Sequence, residues 1–361
     1  MKVAFFGLQI SFNHEHIGGT NSIVRRLASY LKEAGDHVVF IYYGCTEDIK
    51  IRLDSGIEVL CFVTFIDALE ALSNKYDHVL SIYLLPKDRL SYARCRKANA
   101  KQMQFHHLYL GWNESFIKRQ LLFTEARLFP YNGCLFCVSP RIHRYVSTWA
   151  QKARLLLPPV PKTFFLTPSQ KTKSDKIRVT YCGRVDAAKG ALEVSELFKL
   201  LESKNNVSVR ICGFPWRHKP ETMALHDRLL TNSAVCYEPI KYEHWTTQVD
   251  EGLRNILQET DILLLPYRKL SSTVDTPLLL LEGMANLCAI ISPNLGDIHH
   301  IYGASIFNLA DKWRTDVVLK LIENAAIHLS AERKRVFLQS SSNRFDAQSV
   351  CSYFRESITR I

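Results

Sequence analysis

The chain has 361 residues, of which 47% are hydrophobic and 22% charged, with a formal net charge of +11. That length accommodates two ordinary domains, each with its own core, and the composition excludes a disordered or fibrous chain. No uncharged apolar run approaches the roughly 18–20 residues of a membrane span, and the basic balance favours anionic partners: phosphorylated ligands, nucleic acid or an anionic membrane face.

In chain order, "MKVAFFGL" is a short β-prone run ending at glycine. The polar loop "QISFNHEHIGGTN" follows, and then "SIVRRLASYLKEAG", where Ile23, Leu27, Tyr30 and Leu31 keep helical spacing and Gly35 closes the helix. "HVVFIYY" is the next strand, so the alternation is that of a parallel βαβ sheet. It continues through "IEVLCFV", "HVLSIYL", "KQMQFHH" and "GCLFCVS". Between residues 156 and 176 four prolines and a polar stretch read as an interdomain linker. The alternation restarts with strand "IRVTYCG", helix "ALEVSELFKLLES" and strands "VSVRICG" and "AVCYEPI". Helix "GLRNILQET", strand "DILLLPY", helix "LLLLEGMAN" and strand "CAIISP" follow, and the last stretch, "RFDAQSVCSYFRESITRI", is an amphipathic helix.

The expected fold is therefore α/β, two doubly wound parallel-sheet domains facing across a cleft, with ligands beyond the carboxyl ends of the strands. The expected domains are residues 1–165 and 166–345, with 346–361 a helix crossing back to the first domain. The ten cysteines include Cys134, Cys137, Cys182 and Cys212 inside apolar runs. There a reduced thiol behaves as a small hydrophobe, and "CLFC" has no second pair at metal-site distance. The opening "MKVAFFG" is too short for a leader and ends in glycine, so a reducing, cytoplasmic location is expected.

Four stretches carry candidate chemistry. In "GRVDAAKG", Gly183 and Gly190 permit tight turns, and Arg184 and Lys189 stand on the crossing into a helix. Unpaired N–H groups at a helix start favour phosphate, and a guanidinium grips two of its oxygens; the other reading is a solvated turn. In "STVDTPLLLLEGMA", Thr276 reads as an N-cap and Pro277 as the first helical residue. Glu282 then falls in the second turn, positioned to accept from hydroxyls such as a ribose diol, or else to form a surface salt bridge. Asp275 reads as a helix-dipole residue. Gly18 and Gly19 precede the first helix, while His14 and His16 read as loop residues rather than metal ligands. His106 or His107 ends a strand, where a histidine can bond a sugar hydroxyl; the alternative is a core or loop histidine.

Taken in order, "GG" before a helix, "FHH", "GRVDAAKG", "DILLLPY" and "LLLLEGMA" resemble glycosyltransferase family 4, retaining enzymes of the GT-B fold that use sugar nucleotides. The resemblance runs over most of the chain and is most specific from 177 to 292. It implies that Arg184 and Lys189 hold the donor diphosphate and that Glu282 binds the donor ribose. It further implies that Gly18, Gly19, Gly183, Thr276, Pro277 and Leu278 line the donor, and that His106, with His107 as alternative, stands near the transferred sugar. The family has a first glutamate seven residues before the second; that position is Val274 here, with Asp275 one residue away as its replacement. The family's usual glycine and proline after Met-Ala are Leu287 and Ala289.

The implied activity is hexosyl transfer from a nucleoside-diphosphate sugar to a glycan, lipid-linked or small-molecule acceptor. The leaving diphosphate would be stabilised by Arg184, Lys189 and a helix N-terminus. No Asp-x-Asp motif is present, so no metal and no cofactor are expected. The alternatives are an epimerase or phosphorylase of the same fold, or a nucleotide-sugar-binding partner subunit without catalysis. Nucleic acid is not an expected partner, because the cations are dispersed and no aromatic RNA-binding signature accompanies them. "WNESFIKRQLLFTEARLF", with Lys118, Arg119 and Arg127, carries an expectation of peripheral contact with an anionic membrane.

Overall fold

A computed structural model describes residues 1–9, 18–73, 75–111, 116–172, 174–214, 220–231, 236–239, 247–270, 273–310 and 312–360. The chain divides into two units, Met1–Pro159 with Asp346–Ile361 and Val160–Phe345.

The first unit is built on β1 (Lys2–Leu8), whose interior residues Val3 to Phe6 are fully buried. A strand buried on both faces reads as an unbroken apolar run, as parallel strands do. Helix α1 (Gly19–Glu33) turns Ile23, Val24, Leu27, Ala28 and Leu31 inward and leads to β2 (His37–Tyr43), parallel to β1. Gly35, at φ +84°, makes the turn between them. The edge strand β3 (Ile49–Arg52) runs antiparallel to β4 (Glu58–Phe62). Next come α2 (Phe65–Leu72), β5 (His78–Ser81), α3 (Arg89–Asn99), β6 (Gln104–Tyr109), α4 (Phe116–Leu128), β7 (Leu135–Cys137), α5 (Pro140–Val146) and β8 (Ala153–Leu155). The sheet order is β3-β4-β2-β1-β5-β6-β7-β8. Cys134 and Cys137 are buried free thiols, and burial pushes Cys137 up to about 12.

The division at Pro159–Val160 falls ahead of the expected 165/166 boundary because the proline stretch is bound into the second unit. The Val160 N–H donates to Phe345 O at 2.9 Å, and Phe165 lies 5.4 Å from the Phe345 ring. Lys171 is buried there, its ammonium donating to Leu257 O at 2.9 Å and Asn286 O at 2.7 Å. These carbonyls close two helices of the unit, so the lysine meets the negative ends of both.

The second unit opens with β9 (Ile177–Arg184), a short turn at Ala187–Lys189 and α6 (Ala191–Leu201). The sequence then forms β10 (Val207–Phe214), α7 (Pro220–Leu230), β11 (Tyr237–Pro239), α8 (Thr247–Gln258), β12 (Ile262–Leu264), α9 (Leu278–Ala285) and β13 (Ala289–Ile291). Three further helices follow: α10 (Ile298–Tyr302), α11 (Thr315–Glu323) and α12 (Ala325–Asn343). The strands are parallel in the order β11-β10-β9-β12-β13. Chain direction across the sheet reverses between β9 and β12, the switch point at which doubly wound folds bind ligands.

The final helix, α13 (Ala347–Thr359), belongs to the first unit. Asp346 caps it through the Ser349 N–H at 2.9 Å, and Ser352 pairs with Tyr30 of α1 at 2.6 Å. Phe354 packs on Phe136, and Arg355 bonds Asp36 at 2.8 Å.

Candidate functional site

The turn that leaves β9 is shaped by glycine. Gly183, at φ +131°, has open space where a Cβ would stand, so this end of the strand is accessible to a ligand. Gly190 is left-handed at φ +79°, and a Cβ there would come within 2.2 Å of Pro266 O. Only glycine lets this turn close on the loop after β12, a contact completed by the Arg268 N–H donating to Ala188 O at 3.2 Å.

Arg184 ends β9, and its Nη2 is 3.0 Å from Asp186 Oδ2. The other oxygen of Asp186 accepts from the Ala188 N–H at 2.8 Å and so caps the turn. Lys189 closes the turn with its Nζ 4.5 Å from the centroid of the Tyr267 ring. Among the described residues no carboxylate lies within ion-pair distance of that ammonium. Burial, reinforced by the Arg184 charge and opposed by Asp186, lowers Lys189 to about 7.

Tyr267 follows β12 and is buried; the charges of Glu282 and Arg184 both reach its hydroxyl. Glu282 is 2% exposed, in the second turn of α9 as expected. Its charge also reaches Cys182 on β9, whose thiol is pushed up to about 12, chiefly by burial. Gly183, Arg184, Lys189 and Glu282 therefore gather at the carboxyl ends of β9 and β12.

The start of α9 differs from the reading in which Thr276 caps and Pro277 begins the helix. Pro277, with ψ 131°, is itself the cap residue, and Leu278 is the first helical residue. An extended ψ is what a cap position requires, and Pro277 adopts it, so the helix begins one residue later. Thr276 makes no capping bond: it is wholly buried and its hydroxyl has no partner among the described residues. Asp275 is also wholly buried; its carbonyl accepts from the Asp297 N–H at 3.3 Å, and Gly296, at φ +59°, lets the neighbouring loop lie against it.

The remaining candidates lie in the first unit. Gly18 is the extended cap of α1, its carbonyl accepting from the Ser22 N–H at 2.9 Å, and Gly19 opens the helix. His106 does not end a strand, because β6 continues to Tyr109. It is 1% exposed; its Nδ1 accepts from the Cys134 N–H at 2.8 Å and its Nε2 faces His78 Nδ1 at 3.2 Å. Burial, with the His78 charge, holds it down to about 3. His107 is equally enclosed, its Nδ1 2.9 Å from the Ser81 hydroxyl. Both rings are committed to the sheet interior, which corrects the reading of either as a sugar-facing catalytic group. His14, His16 and the side chains of Lys118 and Arg119 lie outside the described residues.

Two residues of this site were not singled out from the sequence. Asp186 carries the local signal of a capping residue before a turn. Tyr267 carries only its position after an apolar strand, and its contact with Lys189 exists once the two loops meet.

No known protein family matches the chain, and no curated protein matches it in sequence. Solved structures do. Sucrose-phosphate synthase from Thermosynechococcus elongatus is 15% identical over 99% of this chain and 98% of its own, with a TM-score of 0.73. HepE of Anabaena, in complex with UDP, is 11% identical over all of both chains, with a TM-score of 0.72. A trehalose-6-phosphate synthase described in a study of glycosyl transfer with retention is 11% identical over 100% of this chain and 99% of its own, with a TM-score of 0.65. The fold is GT-B.

Proposed function

We propose that the chain is a retaining glycosyltransferase of the family 4 kind, moving a sugar from a nucleoside-diphosphate donor to an acceptor hydroxyl without a divalent metal. The observation that carries this reading is the β9 turn. Two cations, Arg184 and Lys189, stand together at the switch point of the second sheet, Arg184 paired with Asp186 and Lys189 with no carboxylate of the described residues within ion-pair distance. A diphosphate would meet the Lys189 ammonium with a negative charge, which a ring face does not carry. In this reading Glu282, in the second turn of α9, would accept hydrogen bonds from ribose hydroxyls, and the N–H groups at the start of α9 would face the phosphate beside Thr276. In the proposed step the bond from the anomeric carbon to the phosphate oxygen breaks and the acceptor oxygen bonds that carbon on the same face. The acceptor proton passes to the leaving phosphate. Positive charge aimed at that phosphate lowers the barrier.

HepE is described with UDP and with UDP-glucose, so UDP-sugars are the first donors to test. The acceptor would be a glycan, a lipid-linked saccharide or a small molecule, with peripheral membrane contact proposed for the lipid-linked case. Among the described residues no helix is long and apolar enough to cross a membrane. Thermal-shift screening against UDP-, GDP- and ADP-sugars, followed by mass spectrometry with candidate acceptors, tests the reading. A donor at a thousandfold excess over its Kd stabilises by about 4 kcal/mol, and Arg184→Ala removes most of that response. No shift with any sugar nucleotide defeats the proposal, and activity abolished by EDTA and restored by manganese defeats its metal-free part.

A second reading, a donor-binding subunit without catalysis, is favoured by Val274 at the first-glutamate position and by the full burial of Asp275 beside it. Slow hydrolysis of the donor in the absence of acceptor decides against it.

A further inference from the structure

Lys189 is half-buried, and the charges of Arg184 and Asp186 both reach it. Arg184 approaches from β9, and Asp186 within the turn is already occupied by Arg184 and the Ala188 N–H. Glu193 on α6 is taken by Arg268 Nε at 3.2 Å. From the loop after β12 comes Tyr267, whose ring lies under the ammonium, 4.5 Å from centroid to Nζ. The negative face of an aromatic ring attracts a cation most strongly where water is excluded.

That ring is not free to turn away. Tyr267 is 6% exposed, its hydroxyl bonds Thr273, and its N–H donates to Leu265 O at 2.8 Å. Its predecessor, Pro266, is the residue against which Gly190 closes. The same contact that fixes the turn therefore fixes the ring beneath the lysine.

We propose that Tyr267 is the positioning residue of the diphosphate site, its ring face holding Lys189 Nζ at the head of β9 and favouring the protonated amine that meets the anion. This inference rests on the diphosphate reading of the site. Two consequences follow. A dianionic ligand draws a proton onto Lys189, so binding weakens as pH rises above about 7. Removing the ring lowers the affinity of Lys189 for its proton further and moves that pH dependence to lower values.

The test is calorimetry of UDP at pH 6.5 and 8.5, in two buffers of different ionisation enthalpy, with five forms of the full chain: wild type, Tyr267→Phe, Tyr267→Leu, Lys189→Met and the Lys189→Met, Tyr267→Leu double variant. Wild type is expected to bind roughly twentyfold more weakly at pH 8.5 and to take up close to one proton. Tyr267→Phe, which keeps the ring, stays within about threefold of wild type. Tyr267→Leu binds roughly 3- to 30-fold more weakly at pH 6.5, with its pH dependence displaced downward. In a Lys189→Met background the Leu substitution costs no further affinity. If Leu behaves as Phe does, or costs as much without the lysine as with it, the inference is overturned.

Failure of wild type to bind any nucleoside diphosphate would instead defeat the functional reading, and melting curves would then decide the contact itself. A depressed lysine costs stability fully below about 7 and less as pH rises towards its ordinary value near 10.5. Lys189→Met should therefore raise the melting temperature at pH 6 by more in Tyr267→Leu than in wild type. Equal rises overturn the contact.

Discussion

Replacing Gly190 tests whether the two halves of the site are held by backbone approach. An alanine there incurs two costs. The left-handed conformation is worth roughly 1–2 kcal/mol against any residue with a Cβ. The new Cβ would lie 2.2 Å from Pro266 O and 2.6 Å from the Pro266 Cβ, so the loop carrying Tyr267 must retreat. Displacing packed backbone in this way costs roughly a further 1–3 kcal/mol. The sum, roughly 2–5 kcal/mol, lowers the melting temperature of a unit this size by roughly 5–15 °C.

Asparagine separates the two costs, because it tolerates the left-handed region but still carries a Cβ. Gly190→Asn should therefore recover less than about 1 kcal/mol of the Gly190→Ala loss. Both variants should bind UDP at least tenfold more weakly, since Lys189 and Tyr267 are drawn apart. Gly183→Ala is the counterpart: its Cβ meets nothing within 4 Å, so only backbone strain opposes it. Scanning calorimetry with and without UDP reads all three. A Gly190→Asn protein as stable as wild type would show that φ alone matters and that Pro266 does not, refuting the reasoning.

Asp36→Asn should loosen α13: Asp36 holds the N-terminal ammonium at 3.0 Å and Arg355 at 2.8 Å, and the expected loss is roughly 1–3 kcal/mol because Arg355 is 39% exposed. Burial pushes this carboxyl up, but Arg355 and the N-terminus outweigh it and hold it below its ordinary value of 3.8, so the difference between wild type and variant in urea melts should be present at neutral pH and be lost as pH falls below that ordinary value. His106→Ala should cost roughly 2–4 kcal/mol by orphaning the Cys134 N–H, while transfer per folded molecule stays within about threefold; a hundredfold fall in kcat would restore His106 as a catalytic group. Leu287→Gly relieves a left-handed φ of 58° but uncovers a residue 1% exposed, so thermal melts should show a net loss of roughly 1–2 kcal/mol rather than a gain.

Much of the fold is visible in the sequence because a parallel sheet demands unbroken apolar strands. "VAFFG" and "DILLLP" cannot satisfy a solvent-facing strand, and both form central ones. The edge strand β3 gives no such signal, since Ile49, Lys50, Ile51 and Arg52 are all exposed. Helix α12 is equally quiet: Ile327 and Leu338 face solvent while Glu332 is buried against Tyr302 and Arg335. The histidine pair in "QFHHLY" imitates the polar end of a strand. The strand continues because His78, Ser81 and the Cys134 N–H satisfy both rings, and these partners lie 26 to 28 residues away in the chain.

Leu287 shows a departure from usual helix-ending chemistry resolved by packing rather than by a change of fold. It occupies the position after α9 where glycine is usual, and the Cys288 N–H still reaches Gly283 O at 2.9 Å to close the helix. The left-handed leucine is kept by its complete burial, a tertiary term invisible to local propensity.

Other inward-facing cations of the chain are met differently from Lys189. Arg96 has Glu125 at 3.3 Å and the Tyr131 ring at 3.6 Å. Arg178 and Arg333 share Asp261, and Lys171 is met by two helix-ending carbonyls. Each is answered by a carboxylate or by backbone carbonyls of the protein, as a buried charge requires. Lys189 is answered by a ring face and faces a like charge in Arg184. Under the proposed function an anionic ligand would supply Lys189 with the counter-charge that a ring face does not, and its binding would stabilise the fold.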